Sequence, residues 1–200
     1  MERLSRTIIQ LNLATRGHHV AADTPWLDLM VPAVSKHRYL KHLIQIYGFE
    51  APLEAAFRYT PKLSALIDLR GRTRSGLLAQ DLMRLGMSAS RLADVPQRFT
   101  TFGTAAEALG WMYVIERATL LHGGVRRYLT QRLPEVSNAT SYLAAYDSAT
   151  GLRWNELGNA LDAVASTPSV THQILRAANQ GFRALCSWFH EEESLRHIAT

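Results

Sequence analysis

Apolar residues recur at three- and four-residue spacings along most of the chain, while runs that alternate polar and apolar are short. The pattern predicts helices at 3–22, 25–32, 36–58, 62–69, 74–86, 105–133, 137–146, 152–165 and 169–195, with no hairpin signal between them. Start signals support these bounds. Thr24-Pro25, Thr60-Pro61 and Thr167-Pro168 each fit an N-cap followed by a proline at the first helical position, where a missing N–H costs nothing. Ser35 is placed to cap the segment from Lys36, and Thr104-Ala105-Ala106-Glu107 fits a capping box. Gly86 and Pro134 supply stops. Pro96 to Gly103 is the most loop-like stretch and is too short to divide domains. The expectation is one all-α helical bundle, a single domain over 1–200.

Composition narrows the field of functions. With 47% hydrophobic residues, a chain of 200 can bury a sizeable core. No apolar run approaches the roughly 18 residues needed to span a bilayer, and Met1-Glu2-Arg3-Leu4-Ser5-Arg6 does not open a signal peptide. A lone cysteine, Cys186, excludes an intrachain disulfide and fits a reducing cytoplasm. The net charge of +5 is scattered and carries no nucleic-acid signature, so neither a nucleic acid nor a membrane is expected as partner. Walker A, G-x-S-x-G, H-E-x-x-H and G-x-G-x-x-G patterns are absent. Glu191-Glu192-Glu193 with His190 and His197 reads as a solvated face, because consecutive helical residues point in different directions.

Candidate chemistry begins on the opening helix. Leu4, Ile8, Leu11, Thr15 and Ala22 fall on one stripe, with His18 and His19 flanking it on opposite sides. A neutral imidazole facing a cavity can hold iron. Periodicity does not choose between the two histidines, and one half-buried, hydrogen-bonded histidine beside a solvated one is the plainer reading.

Motifs in fixed order add a resemblance. Ala14-Thr15-Arg16-Gly17-His18-His19-Val20-Ala21-Ala22-Asp23 resembles the proximal segment of heme oxygenases, A-T-x-x-x-H-x-x-A-E. Tyr39 through Glu54, Leu77 through Gly86, Gly151-Leu152-Arg153-Trp154 and Ala177 through Leu185 resemble later segments of that family, and Ala108-Leu109-Gly110-Trp111-Met112-Tyr113-Val114-Ile115-Glu116 resembles its bacterial A-L-G-x-x-Y-V-x-E. The motifs are similar to those of bacterial heme oxygenases that supply biliverdin to bacteriophytochromes. The resemblance implies a heme oxygenase-like bundle, heme as cofactor and substrate, and oxidative cleavage to biliverdin, iron and carbon monoxide. A reductase or ferredoxin would be the electron donor. It assigns the iron to His19, places Asp23 where the family has glutamate, and puts Phe182 in the pocket wall. Arg16 becomes a candidate contact for heme propionates, and Asn12 falls where some members carry lysine. Arg70, Arg72 and Arg74 read first as a solvated turn and second as an anion site.

The distal helix departs from the family. Where the family reads G-S-T-L-G-G, this chain reads Arg117-Ala118-Thr119-Leu120-Leu121-His122. Glycine there lets the backbone approach a ligand and bend over it. Arg117 and Leu121, four residues apart, share a face, and their side chains cannot fit where two hydrogens did unless the helix moves outward. The expectation is impaired or lost heme cleavage. The alternative is a non-catalytic relative with a closed pocket that binds heme poorly, binds another tetrapyrrole or acts through a partner. On the helical wheel Leu121 reads as core and Arg117 as snorkelling to solvent. Gly123-Gly124 offers the bend one or two residues late, and His122 reads as a surface or interhelical hydrogen-bonding residue.

Overall fold

A computed structural model describes residues 5–198, with side chains through 190. It contains seven α-helices: α1 (Arg6–Leu27), α2 (Lys36–Tyr59), α3 (Ser75–Arg84), α4 (Ala89–Ala93), α5 (Ala105–Arg132), α6 (Thr150–Val164) and α7 (Pro168–Ile198). No strand occurs among the described residues. The all-α expectation therefore holds. Leu4, Glu191 to Glu193 and His197 lie outside the residues whose side chains are described.

Several ends follow the local chemistry expected of them. Ser35 accepts from Arg38 N at 3.2 Å and opens α2. Thr104 accepts from Glu107 N at 3.2 Å, while Glu107 reaches back to Gly103 N at 3.0 Å. Gly86 takes a left-handed φ of 104° just past α3, which an L side chain rarely adopts.

Three expectations fail for identifiable reasons. α1 runs through Pro25 instead of ending there, and the first turn after it carries Trp26, which is almost fully buried. Burial of that indole outweighs one missing backbone bond. Thr60 does not cap a helix over 62–69, because its hydroxyl donates back to Ala56 O at 2.8 Å; only a short 3-10 turn, Leu63–Ala65, follows. Residues 137–146 form turns and not a helix. There Asp81 accepts from Tyr142 N at 2.8 Å and Ala139 O accepts from Tyr39 Oη at 2.9 Å, so side chains take backbone groups a helix would have paired.

α5 is the axis of the assembly. α7 packs along it and along α1, α6 fills the space between α1 and α5, and α3 packs on α2. The α5–α7 contact is close because glycine sits on both sides. A Cβ at Gly110 would come within 2.6 Å of Ile174 O, and one at Gly181 within 3.0 Å of Val114 Cγ2. One core group joins the first half of α5 to α6, α7 and the end of α2. A second joins Trp26, the first half of α2, α3, the end of α5 and the 136–143 turns. His42 and His122 lie in this second region, both against Trp26, with ring centroids 4.3 and 4.8 Å from it. His122 is buried, which removes the surface alternative of the two expected; its Nε2 has no hydrogen-bond partner among the described residues. Burial holds both imidazoles neutral, pushing His42 down to about 3 and His122 well below its ordinary range.

Two outcomes follow from this packing. Gly110→Ala should destabilise the protein by about 1–3 kcal/mol through overpacking, while Gly124→Ala, which meets nothing within 4 Å, should stabilise it by about 0.5–1 kcal/mol through helix propensity. Urea midpoints of the two variants check this. The second outcome concerns acid. A folded pKa of about 3 for His42 lies below the unfolded value of 6.5. Its contribution is therefore complete above pH 6.5 and lost as pH falls toward 3. Near pH 5 the loss from this residue is roughly 2 kcal/mol. Unfolding at pH 7 and pH 5 should show His42→Phe losing about that much less than the parent.

Candidate functional site between the first and fifth helices

α1 turns both histidines toward α7. Phe182, fully buried, lies against both rings, at 5.7 Å from His18 and 5.6 Å from His19. His18 is tied to α7: Asn179 donates its Nδ2 to Leu175 O at 2.9 Å, which leaves Oδ1 to accept from His18 Nε2 at 3.1 Å. His19 turns back on its own helix. Thr15 commits its hydroxyl hydrogen to Leu11 O at 2.7 Å, so its oxygen accepts from His19 Nε2 at 3.1 Å. Burial, and then the positive charge of Arg117, lowers the His19 pKa. The neutral ring thus carries its proton on Nε2, the atom farthest from the backbone, and its lone pair is left on Nδ1.

Across from this ring, α5 contributes Tyr113 and Arg117, one turn apart. The Tyr113 hydroxyl lies beside Thr15 and Asn12 of α1. Arg117 reaches the same helix one turn past His19. Its NH1 and NH2 bond the two carboxylate oxygens of Asp23, the second at 2.9 Å, in a two-pronged ion pair. Both side chains are mostly buried, 17% and 20% exposed, so Arg117 does not snorkel to solvent as the helical wheel implied. The guanidinium is desolvated only because a carboxylate waits for it, and the fork geometry makes the pair directional. Leu121 does not join it. It packs, partly buried, against the second core group. Gly123 and Gly124 face open space on an unbroken helix, so they supply neither a bend nor a close approach.

Beside Arg117 a cleft of about 480 Å³ opens between three helices. Ser5, Ile8 and Asn12 of α1 form one bank; Tyr113, Arg117 and Leu120 of α5 form another; Trp154, Asn155, Gly158 and Asn159 of α6 close it. Neither histidine lines it, nor do Phe182 or Leu121. Arg16 is exposed on α1 and is also outside the lining.

The basic turn departs from its expected solvation at two of its three arginines: Arg70 is exposed, but Arg72 and Arg74 are only 5% and 1% exposed. Arg74 meets Glu50 at 3.2 Å and lies over the rings of Tyr142 and Tyr146. Arg72 meets Glu116 at 3.3 Å and Glu156 at 3.2 Å. Tyr142 donates to Glu50 and Tyr146 to Glu116, each at 2.7 Å. Glu54 accepts from Arg74 N and Ser75 N, at 2.6 and 2.9 Å, and thereby caps α3. These are internal ion pairs, not an anion site.

The arrangement of helices matches the heme oxygenase of Neisseria meningitidis in its NO- and CO-bound forms, with a TM-score of 0.73 over 92% of this chain and 90% of that one, at 22% identity. This likeness defines the class of fold. The heme oxygenase family pattern matches residues 5–191, and the chain belongs to that family. No curated protein matches it in sequence. Among the described residues, no helix is long and apolar enough to cross a membrane, and no group of three or more His, Cys, Asp or Glu side chains could hold a metal ion.

Heme does not fit the residues as they stand. The Nε2 of His19 is engaged by Thr15, Arg117 bridges to α1 at Asp23, and the adjoining cleft offers no imidazole. Sequence reasoning weighed Asp23 and Arg117 separately and missed their pairing. The available signal was that each departs from the family pattern and that their charges are opposite. A double-mutant cycle with Asp23→Asn and Arg117→Gln should give a coupling energy of about 1–2 kcal/mol in unfolding experiments, as expected for a mostly buried bidentate pair. A coupling near zero would mean the contact is incidental.

Proposed function

We propose that this heme oxygenase-family protein has lost or severely impaired heme cleavage. The observation that carries the reading is the Arg117–Asp23 ion pair, which fastens the distal helix α5 to the proximal helix α1. In the family, heme cleavage needs a histidine-held iron, space above it for dioxygen, and electrons from a reductase partner. Here the proximal imidazole is turned to Thr15, and the position of the first distal glycine holds a cation bound to the opposite wall. Heme would have to break this pair and leave Asp23 buried without its partner, at a cost of several kcal/mol. His19 remains the residue proposed to hold iron if that cost is removed, with Phe182 packed against it. Exchange with a reductase or ferredoxin, and supply of pigment to a bacteriophytochrome, belong to the active form of this reading and require the slot to open.

The test is a hemin titration followed by optical spectroscopy. The parent protein, shown to be folded by circular dichroism, should give no saturable one-to-one histidine-ligated complex. Arg117→Gly with Leu121→Gly should bind hemin at least about tenfold more tightly than the parent, corresponding to a relief of roughly 1.4 kcal/mol or more. In that background His19→Ala should change the spectrum and His18→Ala should leave it nearly as it was. A parent that binds hemin with a histidine-ligated spectrum and forms biliverdin on reduction would overturn the proposal.

A further inference from the structure

A second cavity, of about 340 Å³, lies where the end of α1, the start of α2 and the last described side chains of α7 meet. Its size is in the range that encloses a small organic molecule. No residue of α5 lines it, and neither do His19, Asp23 or Phe182, so it is separate from the slot between α1 and α5.

The walls are held in place by contacts of their own. Trp188 donates its indole Nε1 to Gln45 O at 2.9 Å, which anchors α7 to α2 beside the cavity. Arg38 of α2 meets Asp28, in the turn after α1, at 3.2 Å, and both side chains are partly exposed at the rim. The ring of His42 lies edge to face with Trp26 at 4.3 Å and stacks on Phe189 at 5.8 Å.

Two adjacent polar groups in this lining have needs that the protein leaves unmet. The Nε2 of His42 is buried and has no hydrogen-bond partner among the described residues. Lys41, half-buried, meets no carboxylate among them. The one carboxylate of the lining, Asp28, is already spent on Arg38. A neutral imidazole can place its single proton on Nε2, so both groups can donate to one acceptor, and an anionic acceptor also answers the ammonium charge. The rest of the bed is apolar, with Pro25, Leu29 and Phe189. A cationic ligand would meet Lys41 with no free counter-charge, and a purely apolar one would leave the imidazole nitrogen unsatisfied. A dianion without an apolar body would bring one charge too many and leave the apolar wall uncovered.

We infer that this cavity binds a small organic monocarboxylate, its carboxylate shared by the Lys41 ammonium and the His42 Nε2–H and its apolar body against Phe189, Leu29 and Pro25. Binding here needs neither iron nor an open heme slot.

The probe is benzoate, with neutral benzamide as its control, titrated calorimetrically into the intact protein at pH 7. The acid should bind one-to-one with a dissociation constant of about 1 mM or tighter, within what about nine heavy atoms supply. The amide should bind about tenfold more weakly. Lys41→Gln should bring acid and amide to within about twofold of each other, while Lys41→Arg should keep the preference for the acid. Ala21→Trp, at an exposed position on the cavity wall, should weaken both compounds about tenfold by filling the space they occupy. Circular dichroism checks that each variant is folded. Absence of saturable benzoate binding, equal binding of acid and amide by the parent, a preference unchanged by Lys41→Gln, or binding unchanged by Ala21→Trp would each overturn the assignment.

Discussion

A guanidinium removed from water must be surrounded by acceptors, and the placement of Arg72 and Arg74 imposes that condition on most of the fold. Their partners come from α2 (Glu50), α5 (Glu116), α6 (Glu156) and the turns that carry Tyr142 and Tyr146. Removing any one acceptor leaves charge stranded in the interior, so these segments are held in register. The same condition keeps 137–146 from coiling into a helix, because its tyrosines must reach two glutamates while its backbone answers Asp81. It also sets the rotation of α5. Glu116 is committed to the arginines, and the next residue, about 100° around the helix, is delivered to α1.

That next residue is Arg117. The geometry that keeps α5 in place thus aims a long cation at α1. Asp23 receives it, and Tyr113 of the same helix lies beside Thr15 and Asn12 of α1. Thr15 links the two halves of the site. It meets Tyr113 of α5, and its oxygen holds the His19 proton on Nε2. The chain belongs to its family by sequence and by architecture. Two departures from the family pattern, Asp23 and Arg117, face one another across the slot.

The all-α architecture was legible because helix periodicity and caps are local. Ser35, Thr104 and Gly86 act within a turn of their own position. Apart from Thr60, whose hydroxyl turns back on its own helix, the failures were questions of partnership at a distance. Pro25 sits inside a helix because Trp26, its neighbour, is buried by residues far along the chain. Arg72 and Arg74 looked solvated because their carboxylates lie 24 to 84 residues away. The same limit hid the site. His18 and His19 flank one stripe on the helical wheel, yet both are half-buried and hydrogen-bonded, neither solvated, and the acceptor of each proton depends on Asn179 in one case and on the Thr15 hydroxyl in the other. A helical wheel shows which face Arg117 occupies and says nothing of an aspartate 94 residues earlier.

The two-membered character of the Arg117–Asp23 contact bears on how such a molecule changes over generations. A lineage that regained glycine at 117 first would carry Asp23 without its counter-charge. One that neutralised Asp23 first would carry an unsatisfied guanidinium. The first order returns to an acid facing glycine, the arrangement of the family pattern with glutamate in this place, while the second strands a cation in a mostly buried wall. The two halves are therefore not equivalent: the order in which they change decides whether the intermediate is sound.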